Sequence, residues 1–252
     1  MSQQKSGVRG WFRGIVDIAV ILLLVTAAKT AIAEPFYVPS GSMEPTLLIG
    51  DELLATKFPY GYGSASLPSF IDLPVTSRIL GALPRRGDIV VFRWPGDRSQ
   101  TWVKRVIGLP GDRIALRDGV VSINGTPVDV QPDGTGQLEN EDGSLTPAAR
   151  FVETLPDQRK HLIFKLAPDN PLDTMAEIIV PPNHLFVMGD NRDNSADSRV
   201  PLRDGGVGLL PVANLVGRVD GIVGSWDLGI KSQPMWTWPS GLRLARFFSS
   251  VH

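Results

Sequence analysis

Two hydroxyls bracket a glycine in Pro39-Ser40-Gly41-Ser42-Met43, and an amine stands within an apolar run, Trp102-Val103-Lys104-Arg105-Val106-Ile107. A serine hydroxyl is a poor nucleophile until something removes its proton, and a lysine of ordinary pKa, near ~10.4, is protonated at neutral pH and cannot do so. Burial among valine, isoleucine and tryptophan disfavours the ammonium, which lowers the pKa and makes the amine a usable base. In a strand, Lys104 shares a face with Trp102 and Val106, while Arg105 shares the other with Val103 and Ile107. One of these two cations must therefore face a sheet surface that is otherwise apolar. Each residue also has a plainer reading: strand lysines are mostly solvated, and Pro-Ser-Gly-Ser is loop-forming.

A third motif is dense in polar groups: Gly189-Asp190-Asn191-Arg192-Asp193-Asn194-Ser195-Ala196-Asp197-Ser198-Arg199, directly after the apolar Leu185-Phe186-Val187-Met188. A charge-assisted network of Asp190, Asp193 and Asp197 with Arg192 and Arg199 would fix a loop beside an active site. A solvated loop and a calcium site are the alternatives, although an EF-hand is excluded by the missing loop pattern. Only His161, His184 and His252 could act as imidazole bases, and none has a metal or triad spacing. There is no cysteine, so disulfides, thiolate metal sites and cysteine nucleophiles are excluded. A net charge of −1 from 25 basic and 26 acidic residues gives no support for neutralising nucleic-acid phosphates.

These groups need elements to position them. Residues 15–33 form one apolar run, about 28 Å long as a helix, close to the thickness of a bilayer core. Lys5, Arg9 and Arg13 precede it and Glu34 follows, a bias that leaves the amino terminus in the cytoplasm and exports the rest. Asp17 and Lys29 lie near its two ends, where they are tolerated. Ala31-Ile32-Ala33 also fits the small-x-small form of a cleavable signal; Pro35 and Lys29 argue against cleavage. On either reading Ser42 lies nine residues beyond the run, at a membrane surface. Serine, lysine and membrane together suggest a membrane-facing hydrolase.

Beyond residue 84 the pattern is all-β: short apolar runs at 89–92, 102–107, 176–180 and 185–188, separated by turn residues. Asp118-Gly119 predicts a hairpin between 113–117 and 120–123, and Asn124-Gly125 a second tight turn; Asn124-Gly125-Thr126 also matches a glycosylation acceptor. Residues 131–150 read as an exposed loop and 61–83 as an irregular insertion. No amphipathic helix is expected after residue 34. At the carboxyl end Trp226, Trp236 and Trp238 with Leu242, Leu244, Phe247 and Phe248, interspersed with Arg243 and Arg246, suit either a bilayer interface or docking against the core.

Four blocks, in order and behind an amino-terminal apolar segment, resemble the bacterial type I signal peptidases, or leader peptidases. They are 39–47, Arg86-Gly87-Asp88-Ile89-Val90-Val91-Phe92, 103–112 and 189–199. The resemblance covers most of 34–223 and is thin over 61–83, 131–175 and the tail. It implies a mainly β fold, a coiled antiparallel, barrel-like peptidase domain with one N-terminal transmembrane helix. The organisation would be a cytoplasmic segment 1–14, an anchor 15–33 and an extracytoplasmic domain 34–252, with 61–83 and 124–185 as variable or accessory insertions.

For chemistry, the resemblance implies Ser42 as nucleophile, Lys104 as general base, and the Ser40 hydroxyl with the Ser42 N–H as oxyanion hole. Ser195 would hydrogen-bond and orient the lysine, while Asp197 and Arg199 pair in support. Phe36, Val38, Pro39, Met43, Leu47, Trp102 and Val103 would wall shallow pockets for a substrate cut after small-x-small, commonly Ala-x-Ala. No metal or cofactor is implied. Partners would be exported preproteins and the lipid bilayer, with proximity to the secretion translocon and no nucleic acid. The location would be the bacterial inner membrane, single-pass, with the catalytic domain on the periplasmic side. An exported β-rich binding module without activity, or a Ser/Lys peptidase with a specialised precursor, are the competing readings.

Overall fold

Short β-branched and aromatic runs with Gly, Asn and Asp between them favour antiparallel pairing through tight turns. The computed structural model describes residues 11, 13–21, 32–66, 78–79, 81–140, 143–168 and 170–251. The strands are β1 (Ala33–Tyr37), β2 (Asp51–Thr56), β3 (Ile89–Trp94), β4 (Asp97–Gly108), β5 (Arg113–Arg117), β6 (Val120–Ile123), β7 (Thr126–Pro127) and β8 (Asp129–Glu139). They continue as β9 (Leu145–Thr154), β10 (Lys160–Lys165), β11 (Met175–Ile179), β12 (His184–Met188), β13 (Leu210–Pro211), β14 (Leu215–Ser225) and β15 (Ser249–Ser250).

The main sheet runs β1-β2-β14-β3-β4-β12-β13, with β15 on β14; β11-β5-β6-β7 and β10-β9-β8 form two smaller sheets. Every pairing in the main sheet is antiparallel. Register shifts interrupt the pairing of β14 with β2 and β3, of β3 with β4, and of β12 with β4. Each such irregularity adds local twist and bends the sheet.

Strand β3 is buried on both faces. Its Ile89 and Val91 pack with Val38, Met43, Leu47 and Leu53 on one side, and its Val90 and Phe92 with Val106, Leu185 and Val187 on the other. A third cluster gathers Ile107, Ile114, Leu116, Phe186 and Met188, joining β4 and β12 to the β5–β6 hairpin. That hairpin forms as expected, with Asp118 and Gly119 both at positive φ and Ile114 opposite Ile123. Asn124 and Gly125 make the next turn in the same way, between β6 and β7.

Two expectations are corrected or trimmed. Residues 131–150 are not a loop: β8 and β9 pair from Asp129↔Thr154 to Glu139↔Leu145. About half of their residues are exposed, in no regular order, and Leu138 and Ala148 pack with Phe164, so the hairpin lacks the alternation that marks a half-buried strand. The expected anchor, 15–33, falls largely outside the described residues. Residues 13–21 are helical and exposed, and Ala33 already belongs to β1. Among the described residues no helix is long and apolar enough to cross a membrane. Residues 67–77 and 80 of the irregular segment also lie outside the description, while 58–60 and 64–66 are single 3-10 turns. In the tail both readings apply in part: Trp226 meets Trp238 edge-on at 6.3 Å, whereas Trp236 and Phe248 are 82% and 84% exposed.

Phe186 is fully buried where β12 crosses β4, with its Cβ close against Gly108. Phe186→Ala should lower unfolding free energy by about 3–5 kcal/mol, read from urea titration of the purified protein.

Candidate active site

Ser42 sits on a single 3-10 turn, Gly41–Met43, that projects its hydroxyl while Met43 drops into the core. The 189–199 segment braces this turn from beside it. Asn191 donates its backbone N–H to the Ser42 carbonyl at 3.2 Å and its side-chain amide to the Gly41 carbonyl at 3.2 Å. Thr46 donates to Asp190 Oδ2 at 2.5 Å, and Asp190 receives the Arg105 guanidinium through two bonds of 2.8 and 2.7 Å.

Strand β4 delivers Lys104 from the opposite direction. Its Nζ donates to Ser42 Oγ at 2.7 Å, and the residue is only 4% exposed. Burial brings the amine down to about 8; Asp197 and Asp190 oppose that fall, and Arg199 assists it. Asp197 is itself committed elsewhere. Arg199 donates to it through Nε and Nη2, both at 2.9 Å, and Gly189 adds a backbone N–H at 3.0 Å. Burial alone would raise Asp197, but Arg199 and these bonds hold its carboxyl below the usual range. The Trp102 ring lies 5.7 Å from Lys104 Nζ and stacks at 5.0 Å on Trp94. A ring face favours a cation, so Trp102 counteracts part of the burial.

The remaining expected residues are distributed unevenly. Ser40 lines the cleft beside Ser42, and its hydroxyl makes no capping bond to the turn it precedes. Ser195 differs from expectation: its Oγ is buried with no hydrogen-bond partner, and it packs against Gly189 while Lys104 bonds Ser42 instead. The acidic and basic groups of 190–199 do not form one network either. Only Asp197 and Arg199 pair within the segment; Arg192 makes two bonds to Glu153, and Asp193 accepts from the Leu166 and Ala167 amides.

The serine–lysine pair opens into a cleft of about 650 Å3. Phe36, Val38, Pro39, Trp102 and Val103 line it as expected, but Met43 and Leu47 do not: both are fully buried in the core beneath it. The resemblance placed these two at the cleft wall; Met43 follows Ser42 on the turn but points the other way, and Leu47 lies with it in the same core cluster. Ile49, Leu53 and Val91 complete the apolar floor, and Gln100, Glu139 and Asn140 add a polar rim. In β2, Asp51-Glu52-Leu53-Leu54-Ala55-Thr56 does not alternate polar with apolar, so nothing singled out Leu53 over Leu54. Glu139 and Asn140 gave no signal either, lying in the stretch read as a loop.

A mainly β chain with a hydroxyl and a desolvated amine in contact at an apolar cleft falls in the class of serine endopeptidases. The chain belongs to the signal peptidase family, peptidase S26, whose sequence profile matches residues 11–226. Signal peptidase I of Rickettsia typhi is 36% identical over 92% of this chain and 90% of that protein; the Rickettsia prowazekii protein of the same name is 37% identical over 94% and 92%. A crystal structure of a signal peptidase I from Enterococcus faecalis V583 aligns with 25% identity over 55% of this chain and 97% of the other, with a TM-score of 0.32.

A Cβ on Gly189 would lie 2.3 Å from Ser195 Oγ and 2.4 Å from the Ser42 carbonyl. Gly189→Ala must therefore push the nucleophile turn or Ser195 aside. Turnover should fall at least about tenfold, with a stability loss of about 1–3 kcal/mol, measured by peptide hydrolysis and thermal melting of the same sample.

Proposed function

We propose that this chain is a membrane-anchored endopeptidase that removes signal peptides from exported preproteins, with Ser42 as nucleophile and Lys104 as its general base. The observation that carries the reading is the 2.7 Å contact between Lys104 Nζ and Ser42 Oγ, made by an amine that burial has brought to about 8. In its neutral form Lys104 takes the Ser42 proton as Oγ attacks the scissile carbonyl. The tetrahedral oxyanion is held by the Ser42 N–H and the Ser40 hydroxyl, a type of contact worth roughly 3 kcal/mol per donor. The lysine ammonium then protonates the departing amine, releasing the mature protein. Water, deprotonated by the same amine, frees the signal peptide from Ser42.

The cleft's apolar lining supports cleavage after small-x-small. Phe36, Val38 and Val103 line an apolar cleft suited to alanine side chains, while an extended substrate pairs through its main chain and points alternate residues inward. The apolar run before Glu34 serves as the anchor and brings the cleft to the extracytoplasmic surface of the inner membrane, near the translocon from which substrates emerge. Asp197 and Arg199 support Lys104 as the ion pair behind it.

Ser42→Ala and Lys104→Ala should each leave less than roughly a tenth of wild-type turnover on a preprotein in detergent, with melting behaviour intact. A new mature amino terminus must appear with wild type and not with either variant. Only the neutral amine is a base, so kcat/KM should rise with pH to half its plateau near 8. A rise confined to the region above about 10, where ordinary lysine titrates, would contradict the assignment.

A further inference from the structure

Glu44, two residues past the nucleophile, is a fully buried carboxyl that the reaction above does not use. Its Oε2 accepts the Glu139 backbone N–H at 3.1 Å. Its Oε1 is buried with no hydrogen-bond partner, bordering the space beside Gly41 where the Glu139 carbonyl also points. Glu139 ends β8 and, with Asn140, lines the cleft. A second tie reaches the same residue: Arg243 of the tail bonds Glu139 Oε2 at 2.6 Å and the Ile49 carbonyl at 2.7 Å. The cleft end of the β8–β9 hairpin is thus fastened at Glu139 from two sides, by its backbone to Glu44 and by its side chain to Arg243.

We propose that Glu44 is a positioning residue for substrate binding, holding Glu139 and the cleft end of the β8–β9 hairpin against the turn that carries Ser42. The inference rests on the reading of this cleft as the substrate site. Glu44 acts through Glu139 and touches no reacting atom. The charged groups around it are Glu139 on β8, Asp51 at the start of β2 and Arg243 in the tail, Asp51 being paired in turn with Arg246.

A carboxylic acid satisfies this place better than a carboxylate. Ionised, Glu44 would confront Glu139 and Asp51 with one oxygen unsolvated, a costly arrangement. Burial accordingly pushes the group up to about 7; the Glu139 N–H opposes the rise, the Glu139 and Asp51 charges add to it, and Arg243 opposes it. With the acid raised in the closed arrangement, the hold is complete below the ordinary carboxyl range and is lost as pH climbs through about 7. Substrate should then bind more weakly as pH rises to about 7, just below the range in which Lys104 becomes an effective base.

The test is a KM and kcat series on a preprotein between about pH 6 and 9 for wild type, Glu44→Ala and Glu44→Gln. Wild-type KM should rise severalfold across the series. Glu44→Ala should raise KM about five- to tenfold already at the acid end, with kcat reduced less than about threefold. Glu44→Gln keeps an acceptor for the Glu139 N–H and cannot ionise, so KM should return to near the wild-type acid value and stay flat with pH. The inference is overturned by a pH-independent wild-type KM, by an equal KM rise in Glu44→Gln, or by a loss in Glu44→Ala that falls on kcat alone. Thermal melting separates misfolding from these outcomes: should Glu44→Ala not fold, the flat Glu44→Gln profile still decides. Active Ser42→Ala or Lys104→Ala enzyme would sink the functional reading itself, a result distinct from failure of the Glu44 variants alone.

Discussion

Two successive cations, Lys104 and Arg105, leave β4 on opposite faces, and both are buried. A buried charge is tolerated only with a partner, and losing one partner of such a pair costs several kcal/mol. Arg105 receives a carboxylate of its own, Asp190, in a two-bond clamp. Lys104 receives a hydroxyl, while its nearest acidic influence, Asp197, is bound by Arg199. The amine is therefore left short of full compensation and gives up its proton more readily than a solvated lysine would. The rest of the site depends on that unequal distribution of carboxylates.

The fold maintains it by crossing two rigid supports at one point. The main sheet fixes β4 by backbone pairing between β3 and β12, both buried along nearly their whole length, so neither cation can slide toward water. The 189–199 segment then reaches under the Ser42 turn from the end of β12, supplying Asn191 to the backbone and Asp190 to both Thr46 and Arg105. One short segment thus secures the hydroxyl's turn and the arginine behind the lysine. A displacement of either is felt by the other through a single aspartate.

Much of this was legible in the sequence because it lies in local patterns. Asp118-Gly119 specifies its hairpin through positive φ, and the apolar runs of β3, β4 and β12 announce a sheet interior. The serine and the lysine were legible as types in unusual settings, although a strand lysine alone would sooner be solvated. What escaped depends on long-range placement. The β8–β9 hairpin carries Pro132, Gly134, Gly136 and Pro147 and mixes exposed and covered residues without regular order, so neither propensity nor alternation marks it, yet it supplies Glu139 and Asn140 to the cleft. Met43 and Leu47, placed at the cleft wall by the resemblance, face the core instead: a matching apolar residue reads the same whichever way it points. Ser195 shows a third limit, since the residue type gives no sign of where its hydroxyl points, and here it lies against Gly189.

Strand β1 begins at Ala33 and contributes Phe36 to the cleft only three residues later, pairing with β2 on one side alone. At about 3.3 Å per residue, the cleft wall stands about 10 Å from the strand's first residue, along a path stiffened by ladder hydrogen bonds. If the preceding apolar segment lies in a bilayer, as proposed, β1 acts as a ruler and not a leash. The height at which a peptide bond can be cut is then set by the protein's own rigid geometry. A substrate whose susceptible bond lies too deep or too far out would be spared however well its side chains fit, so chain position relative to the lipid becomes a second code, read by length alone.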